Sequence, residues 1–283
     1  MNGFFLVNKP EKMTSHDVVF QIKKKFHFDK VGHTGTLDPL ASGLLIICVG
    51  KATKLAFLFD KLPKTYQGTF LFNKHYDTLD VTGKLLDTKN TPLTDCTIQK
   101  SFASFHQKKY LQIPPMFSAV KIKGKKMYRL ARKNQVVDIP PREVFIHHFE
   151  KTSLFCRDQV DFLAHVSKGT YIRSLARDLA LQLNTYGALL RLQRTAIGTH
   201  LLQNAKTIEN LELNDLILDS TFFAAYDELI LNDYLIKLVK NGTHLDQRQI
   251  TTKKPFIVKD SNKNFVAYYD TLDENKYYPR YFF

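Results

Sequence analysis

Cysteine is scarce. The chain has three, Cys48, Cys96 and Cys156, far apart and none in a C-x-x-C pair. That excludes a disulfide framework and a standard zinc site, and it fits the reduced thiols of a cytosolic protein. Long apolar runs are missing as well. Leu44 to Val49 spans six residues, against the roughly 20 that a membrane helix needs. Near the start only Phe4 to Val7 is continuously apolar, and no basic stretch precedes it, so no signal peptide is expected. The expectation is a soluble, cytoplasmic protein. Acid is under-represented too: 27 Asp and Glu stand against 41 Lys and Arg, a formal charge of +14. A balance this basic points to a polyanionic partner, nucleic acid first and anionic membrane second. A nucleotide-triphosphate loop is also absent. Gly50-Lys51 follows an apolar run, but Leu45 stands where the first glycine must be and Ala52 where Ser or Thr must be.

What is present reads as an ordinary globular chain. Hydrophobic residues make up 44% and charged residues 24%, which excludes disorder, collagen and coiled coil. At 283 residues there is room for one large domain, or a large one and a small one. Phe4 to Val7 predicts a short buried strand. Thr14 or Ser15 predicts the cap of a helix bearing Val18, Val19, Ile22 and Phe26 on one face. Leu44 to Val49 predicts a strand buried on both faces, and Tyr66 to Phe72 another. Val160, Phe162, Ala164 and Val166 alternate with polar neighbours, the period of a half-buried strand. Ile172, Leu175, Leu179 and Leu183 recur at helical spacing. Without a regular βαβ rhythm, the fold class is α+β. From about Ile230 onward short β-like, Tyr-rich runs (256–258, 265–269) predict a small second domain.

Three segments carry candidate chemistry. Residues 101–137 hold nine Lys or Arg and no acid, with five aromatics interleaved. Against the plainer reading of a solvated face, this composition favours an arm that contacts phosphates. His147-His148 invites a metal reading, but neighbours on a strand point to opposite faces. The glycine-dense stretch from Val31 to Leu45, VGHTGTLDPLASGLL, is the most unusual. From local pattern Asp38 reads as an N-cap with Pro39 at the first helical position. The glycines also permit close backbone approach to a ligand, and His33, Thr34 and Thr36 are more polar groups than a connector needs.

GHTGTLDPLASGLL resembles the catalytic loop of the TruB family of pseudouridine synthases. Four further stretches match in order: L-V-N-K-P at 6–10 followed by Thr14-Ser15; Lys64-Thr65-Tyr66; I-P-P-M-F-S-A-V-K at 113–121 continuing G-K-K-M-Y at 124–128; and K-G-T-Y-I-R at 168–173. The likeness runs from about residue 3 to residue 200. Three positions depart from the family pattern. Lys12 and Asn73 stand where glycine is usual, and Tyr76 where threonine is usual, before the Asp77–Asp80 run.

The resemblance implies a catalytic domain over 1–229 with a mixed, mostly antiparallel curved sheet flanked by helices. It implies a basic thumb insertion at about 106–138, and a short PUA-like domain over 230–283. It implies isomerisation of uridine 55 in the T loop of tRNA, through glycosidic cleavage, base rotation and carbon–carbon bond formation. Such an isomerisation calls for no metal, ATP or redox cofactor. Asp38 becomes the carboxylate at the sugar, and Arg173 the guanidinium that keeps it ionised within about 4–6 Å, rather than an exposed arginine at a helix start. Tyr66 becomes the stacking residue and a candidate proton acceptor, although a phenol pKa of about 10 argues against direct base action. His33 would fill the space left by a flipped-out base, with Tyr171 and Leu192 lining the pocket. Lys121, Lys123, Lys125, Lys126 and Arg129 would meet the RNA backbone. The implied partner is the tRNA T stem-loop, met by a monomer with no protein partner and no membrane. The alternatives are a catalytically idle RNA-binding or RNA-folding protein, which has no reason to keep Asp38, Tyr66 and Arg173 together, and a guide-dependent relative, which long basic tails would mark and this chain lacks.

Overall fold

A computed structural model describes residues 1–118, 121–122, 125–127, 139–273 and 276–283. A ten-stranded sheet organises the larger part. Its main path runs Ile217–Leu218, Gly3–Lys9, Ala41–Val49, Gly187–Ile197, Lys64–Phe72, Gln159–Val166, Arg142–Lys151, Lys108–Gln112. Every pairing along it is antiparallel except Gly187–Ile197 against Ala41–Val49. That one parallel junction joins the two halves of the sheet and lies beside the candidate site. The mixed, mostly antiparallel α+β fold expected from sequence is the fold found.

Strand Ala41–Val49 is apolar on both faces because both are covered. Leu45, Ile47 and Val49 enter the main core with Phe5, Val7, Phe70 and Phe162. Leu44, Ile46 and Cys48 pack on the other side against Phe4, Phe59 and three residues of the second sheet, Ile257, Tyr268 and Tyr281. The second sheet has five strands, begins at Asp227–Ile230, and holds a separate apolar cluster around Val239, Phe256 and Tyr269. Three helices cover the main core, among them Asp95–Phe105, which buries Ile98, Phe102 and Phe105. Ser15–Phe26 buries Val18, Val19 and Ile22 and starts in a reciprocal cap: Asp17 N donates to Thr14 Oγ1 (3.1 Å) and Thr14 N to Asp17 Oδ2 (2.8 Å). Ile172–Gln182 buries Leu175, Ala176 and Leu179. Among the described residues no helix is long and apolar enough to cross a membrane.

Asp38 caps no helix. Its carbonyl accepts from Ala41 N at 3.0 Å, closing a turn that feeds directly into strand Ala41–Val49. Local pattern misread this point because a turn before a strand and a cap before a helix use the same Asp-Pro chemistry. His147 and His148 also part company. A bulge lies between Ile146 and His148. His147 stacks on His165 with centroids 4.9 Å apart, while His148 meets His106 edge-on, also at 4.9 Å.

Candidate active site

The loop carrying Asp38 is pinned on both sides. Ser15, in the first turn of its helix, accepts from Leu37 N (2.8 Å) and donates to Leu37 O (3.1 Å). On the other side Lys12 N donates to Pro39 O at 2.7 Å. Lys12 sits at φ 64°, a left-handed conformation that glycine adopts most readily, so the departure at this position keeps the backbone shape. Lys9, fully buried, donates from Nζ to Pro10 O (2.8 Å) and Met13 O (2.6 Å) and so staples the turn that presents Lys12 and Ser15. Burial lowers Lys9 to about 8, opposed by the nearby Asp38 carboxylate.

Asp38 and Arg173, 135 residues apart in sequence, meet here: Arg173 Nε lies 2.9 Å from Asp38 Oδ2. The contact is single-pronged. The rest of the guanidinium is spent elsewhere, Nη1 on Thr78 O (2.8 Å) and near Asp80 Oδ2 (3.6 Å), Nη2 on Phe117 O (2.9 Å). Arg173 is 5% exposed and Asp80 4%, so one guanidinium is buried between two carboxylates. Asp80 is itself held by Thr78 Oγ1 (2.9 Å), Thr82 N (3.0 Å) and Thr82 Oγ1 (2.5 Å). Burial pushes the Asp38 carboxyl above its usual range; Arg173 opposes that push and Asp80 adds to it. Arg173 is therefore the main group favouring the ionised form of Asp38.

The pair opens into a cleft of about 800 Å³, also lined by Tyr66, Tyr171 and Leu192. This is within the size range of small-ligand sites, about 300–1,000 Å³. Tyr66 comes from strand Lys64–Phe72 and Leu192 from its antiparallel neighbour Gly187–Ile197. Tyr171, the residue before helix Ile172–Gln182, is raised by burial. His33 is not among the lining residues; it ends the short strand Val31–His33, and burial lowers its pKa. Of the basic residues expected to meet RNA, Lys121, Lys125 and Lys126 belong to a two-stranded ribbon in which Lys121 pairs with Lys126. Lys123 and Arg129 lie outside the described residues.

Sequence reasoning missed three buried groups: Arg194, which lines the cleft, and Asp80 and Lys9, which lie behind it against Arg173 and the Pro10–Met13 turn. Strand alternation could have found two of them. Phe5, Val7 and Lys9 share a face, as do Leu192 and Arg194, so each cation stands where an inward residue belongs. Asp80 had a weaker signal, being the last acid of the Asp77–Asp80 run. Asn73, the second departure, also keeps a left-handed turn at φ 62°; its amide accepts from Thr185 Oγ1 (2.6 Å) and donates to Asp158 Oδ1 (2.9 Å).

Solved structures share this fold. A chain of a Cbf5–Nop10–Gar1 complex superposes with a TM-score of 0.67 at 22% identity, covering 96% of this chain and 79% of its own. A chain of an H/ACA RNP bound to a substrate RNA containing 2′-deoxyuridine gives 0.66 at 19% identity, covering 96% and 78%. The family model for the TruB family pseudouridylate synthase N-terminal domain matches residues 23–172. Fold and sequence together define an isomerase of the pseudouridine synthase class. Among relatives named tRNA pseudouridine synthase B, that of Aster yellows witches'-broom phytoplasma is 93% identical and that of Acholeplasma laidlawii 52%, each across the whole of both chains. That of Bacillus cereus is 36% identical over 95% of this chain and 92% of its own. The chain belongs to the TruB family.

Proposed function

We propose that the protein isomerises uridine 55 in the T loop of tRNA to pseudouridine, with Asp38 as the group that acts on the sugar. The observation that carries this reading is the Asp38–Arg173 contact of 2.9 Å at a cleft lined by Tyr66 and Leu192. In the reaction the bond from N1 of uracil to C1′ breaks, the base turns, and C5 bonds to C1′. The hydrogen leaves C5 for solvent and a proton ends on N1. Atoms and electrons balance within one nucleotide, so the step needs no co-reactant. Asp38 must be anionic to act on the sugar. Its environment raises its pKa, and the Arg173 charge is what opposes that rise. Tyr66 supplies the flat surface on which the detached uracil turns.

The target lies inside folded RNA and must be flipped out, at a cost of a few kcal/mol in lost stacking. The basic segment at about 106–138, Lys121, Lys123, Lys125, Lys126 and Arg129 included, supplies backbone contacts that offset this cost. His33 fills the space left in the T loop, a role that fits its place outside the cleft lining. Residues 230–283 serve as a PUA-like accessory unit. The protein acts as a cytoplasmic monomer on tRNA, without a protein partner. To test this reading, purified protein is incubated with a tRNA transcript and pseudouridine is mapped by carbodiimide adducts and primer extension. The reading expects one stop at position 55, absent when that uridine is replaced by cytidine. A stop elsewhere, or tRNA binding without any stop, refutes it; the latter is the behaviour of an idle RNA-binding protein.

A further inference from the structure

Arg194 is buried, 2% exposed, and no carboxylate lies within 4 Å of it among the described residues. Its partners are backbone carbonyls: Nε donates to Leu44 O at 2.8 Å and Nη2 to Gly35 O at 3.3 Å. Nη1 makes no hydrogen bond within the protein among the described residues, and the residue lines the same cleft as Asp38 and Tyr66. The chain goes to some length to hold it there. A bulge follows Arg194 in its strand, a device that re-aims side chains. Opposite it Gly43, at φ +103°, has no Cβ; one would run into the backbone N and O of Arg194. A guanidinium buried without a counter-charge is costly. Its positive field is felt nearby, for Lys9, Lys64 and His33 are all pushed down in part by Arg194. Lys64 cannot serve as an anion contact itself, since its ammonium is spent on the carbonyls of Phe59, Asp60 and Leu62. On the other side of the cleft Arg173 is already committed to Asp38 and Asp80.

We propose that Arg194 is an anion anchor: its free Nη1 edge binds a backbone phosphate next to the uridine that enters the cleft. The proposal rests on the reading of the cleft as the uridine site. The phosphate supplies the counter-charge that the protein withholds, and it fixes the sugar in relation to Asp38. A guanidinium suits this task because two of its N–H groups can stay on Leu44 O and Gly35 O while a third meets the ligand.

The test is a double-mutant cycle on T stem-loop oligonucleotides in which each phosphate flanking the target uridine is replaced, one at a time, by an uncharged methylphosphonate. Binding is measured to the wild-type protein, to Arg194→Met and to Arg194→Lys. One replacement should weaken wild-type binding about tenfold or more, and the same replacement should have little further effect on Arg194→Met. That non-additivity is the signature of a direct pair. Arg194→Lys should fall between them. If Arg194→Met does not fold, as judged by its thermal melt, the cycle with Arg194→Lys decides: a methylphosphonate effect clearly smaller than in wild type at that one phosphate supports the pair, and an equal effect overturns it. Equal methylphosphonate effects in wild type and variant at every phosphate would overturn the proposal. Activity of the wild-type protein on the unmodified oligonucleotide is measured alongside. Its absence would refute the proposed isomerase function, whereas the cycle reads binding alone.

Discussion

Replacing Arg173 with lysine keeps the charge and removes the shape. The structure shows why shape decides. Nε faces Asp38, Nη1 holds Thr78 O and approaches Asp80, and Nη2 holds Phe117 O. A single ammonium can keep one of these positions with good geometry, not all four. Two half-buried carbonyls then lose their donors, each costing at most about 1–3 kcal/mol, against a typical total stability of about 5–15 kcal/mol. Thermal melting reads that part. The chemical part is separate. Asp38 is already pushed up by burial and by Asp80. Weakening the Arg173 contact pushes it higher, so a larger fraction is protonated at neutral pH and unable to act. Single-turnover rates on tRNA transcript should fall at least about a hundredfold, or about 2.7 kcal/mol of barrier, with tRNA affinity within a few-fold of wild type. The acid limb of the residual rate should shift to higher pH, because the group that must be ionised has a raised pKa. A folded variant that binds tRNA poorly but reacts normally once bound would refute this reasoning and place Arg173 on the RNA backbone.

Other outcomes follow from the same geometry. Neutralising Lys121, Lys123, Lys125 and Lys126 together should reduce the slope of log affinity against log salt by about 3–4 units if each meets a phosphate, at roughly 0.7–0.9 per contact; an unchanged slope would make them a solvated face. Gly43→Ala should lower the melting temperature, since alanine at φ +103° is strained by about 1–3 kcal/mol before its clash with Arg194 is counted; an unchanged melt would contradict the close approach. Lys64 is lowered to about 8 by burial, with Arg194 adding to the effect. A depressed lysine binds fewer protons folded than unfolded between about pH 8 and 10.4, so it makes stability rise with pH across that window. Lys64→Met should flatten that rise, measured by denaturant unfolding at several pH values, and an identical pH slope would contradict the assignment.

The strands and helices were legible where burial has a simple period. Val160 to Val166 alternates because one face meets the core, and Leu44 to Val49 is continuous because both faces do. The helix after Tyr171 was legible from the spacing of Ile172, Leu175 and Leu179. Asp38 was legible as a candidate site residue only through the resemblance of its loop to that of a known family; local pattern alone put it at a helix start that does not exist. The partners of Arg173 were beyond local reach. Thr78, Asp80 and Phe117 converge on it from segments 56–95 residues away, and only the sheet order brings them together. Arg194 shows the opposite failing: its spacing from Leu192 marks it as inward, yet a single charged residue on an apolar face is easily passed over.

The central claim is that Asp38, held ionised by Arg173, acts on the sugar of a tRNA uridine. The most direct measurement is tritium release from transcript labelled at carbon five of uracil, under single-turnover conditions, for wild type and Asp38→Asn side by side. Asparagine preserves the shape and removes the charge. The account predicts release of one equivalent of tritium per target uridine by the wild type, and none by Asp38→Asn at tRNA affinity within a few-fold of wild type. Release by the asparagine variant at a measurable fraction of the wild-type rate would contradict it.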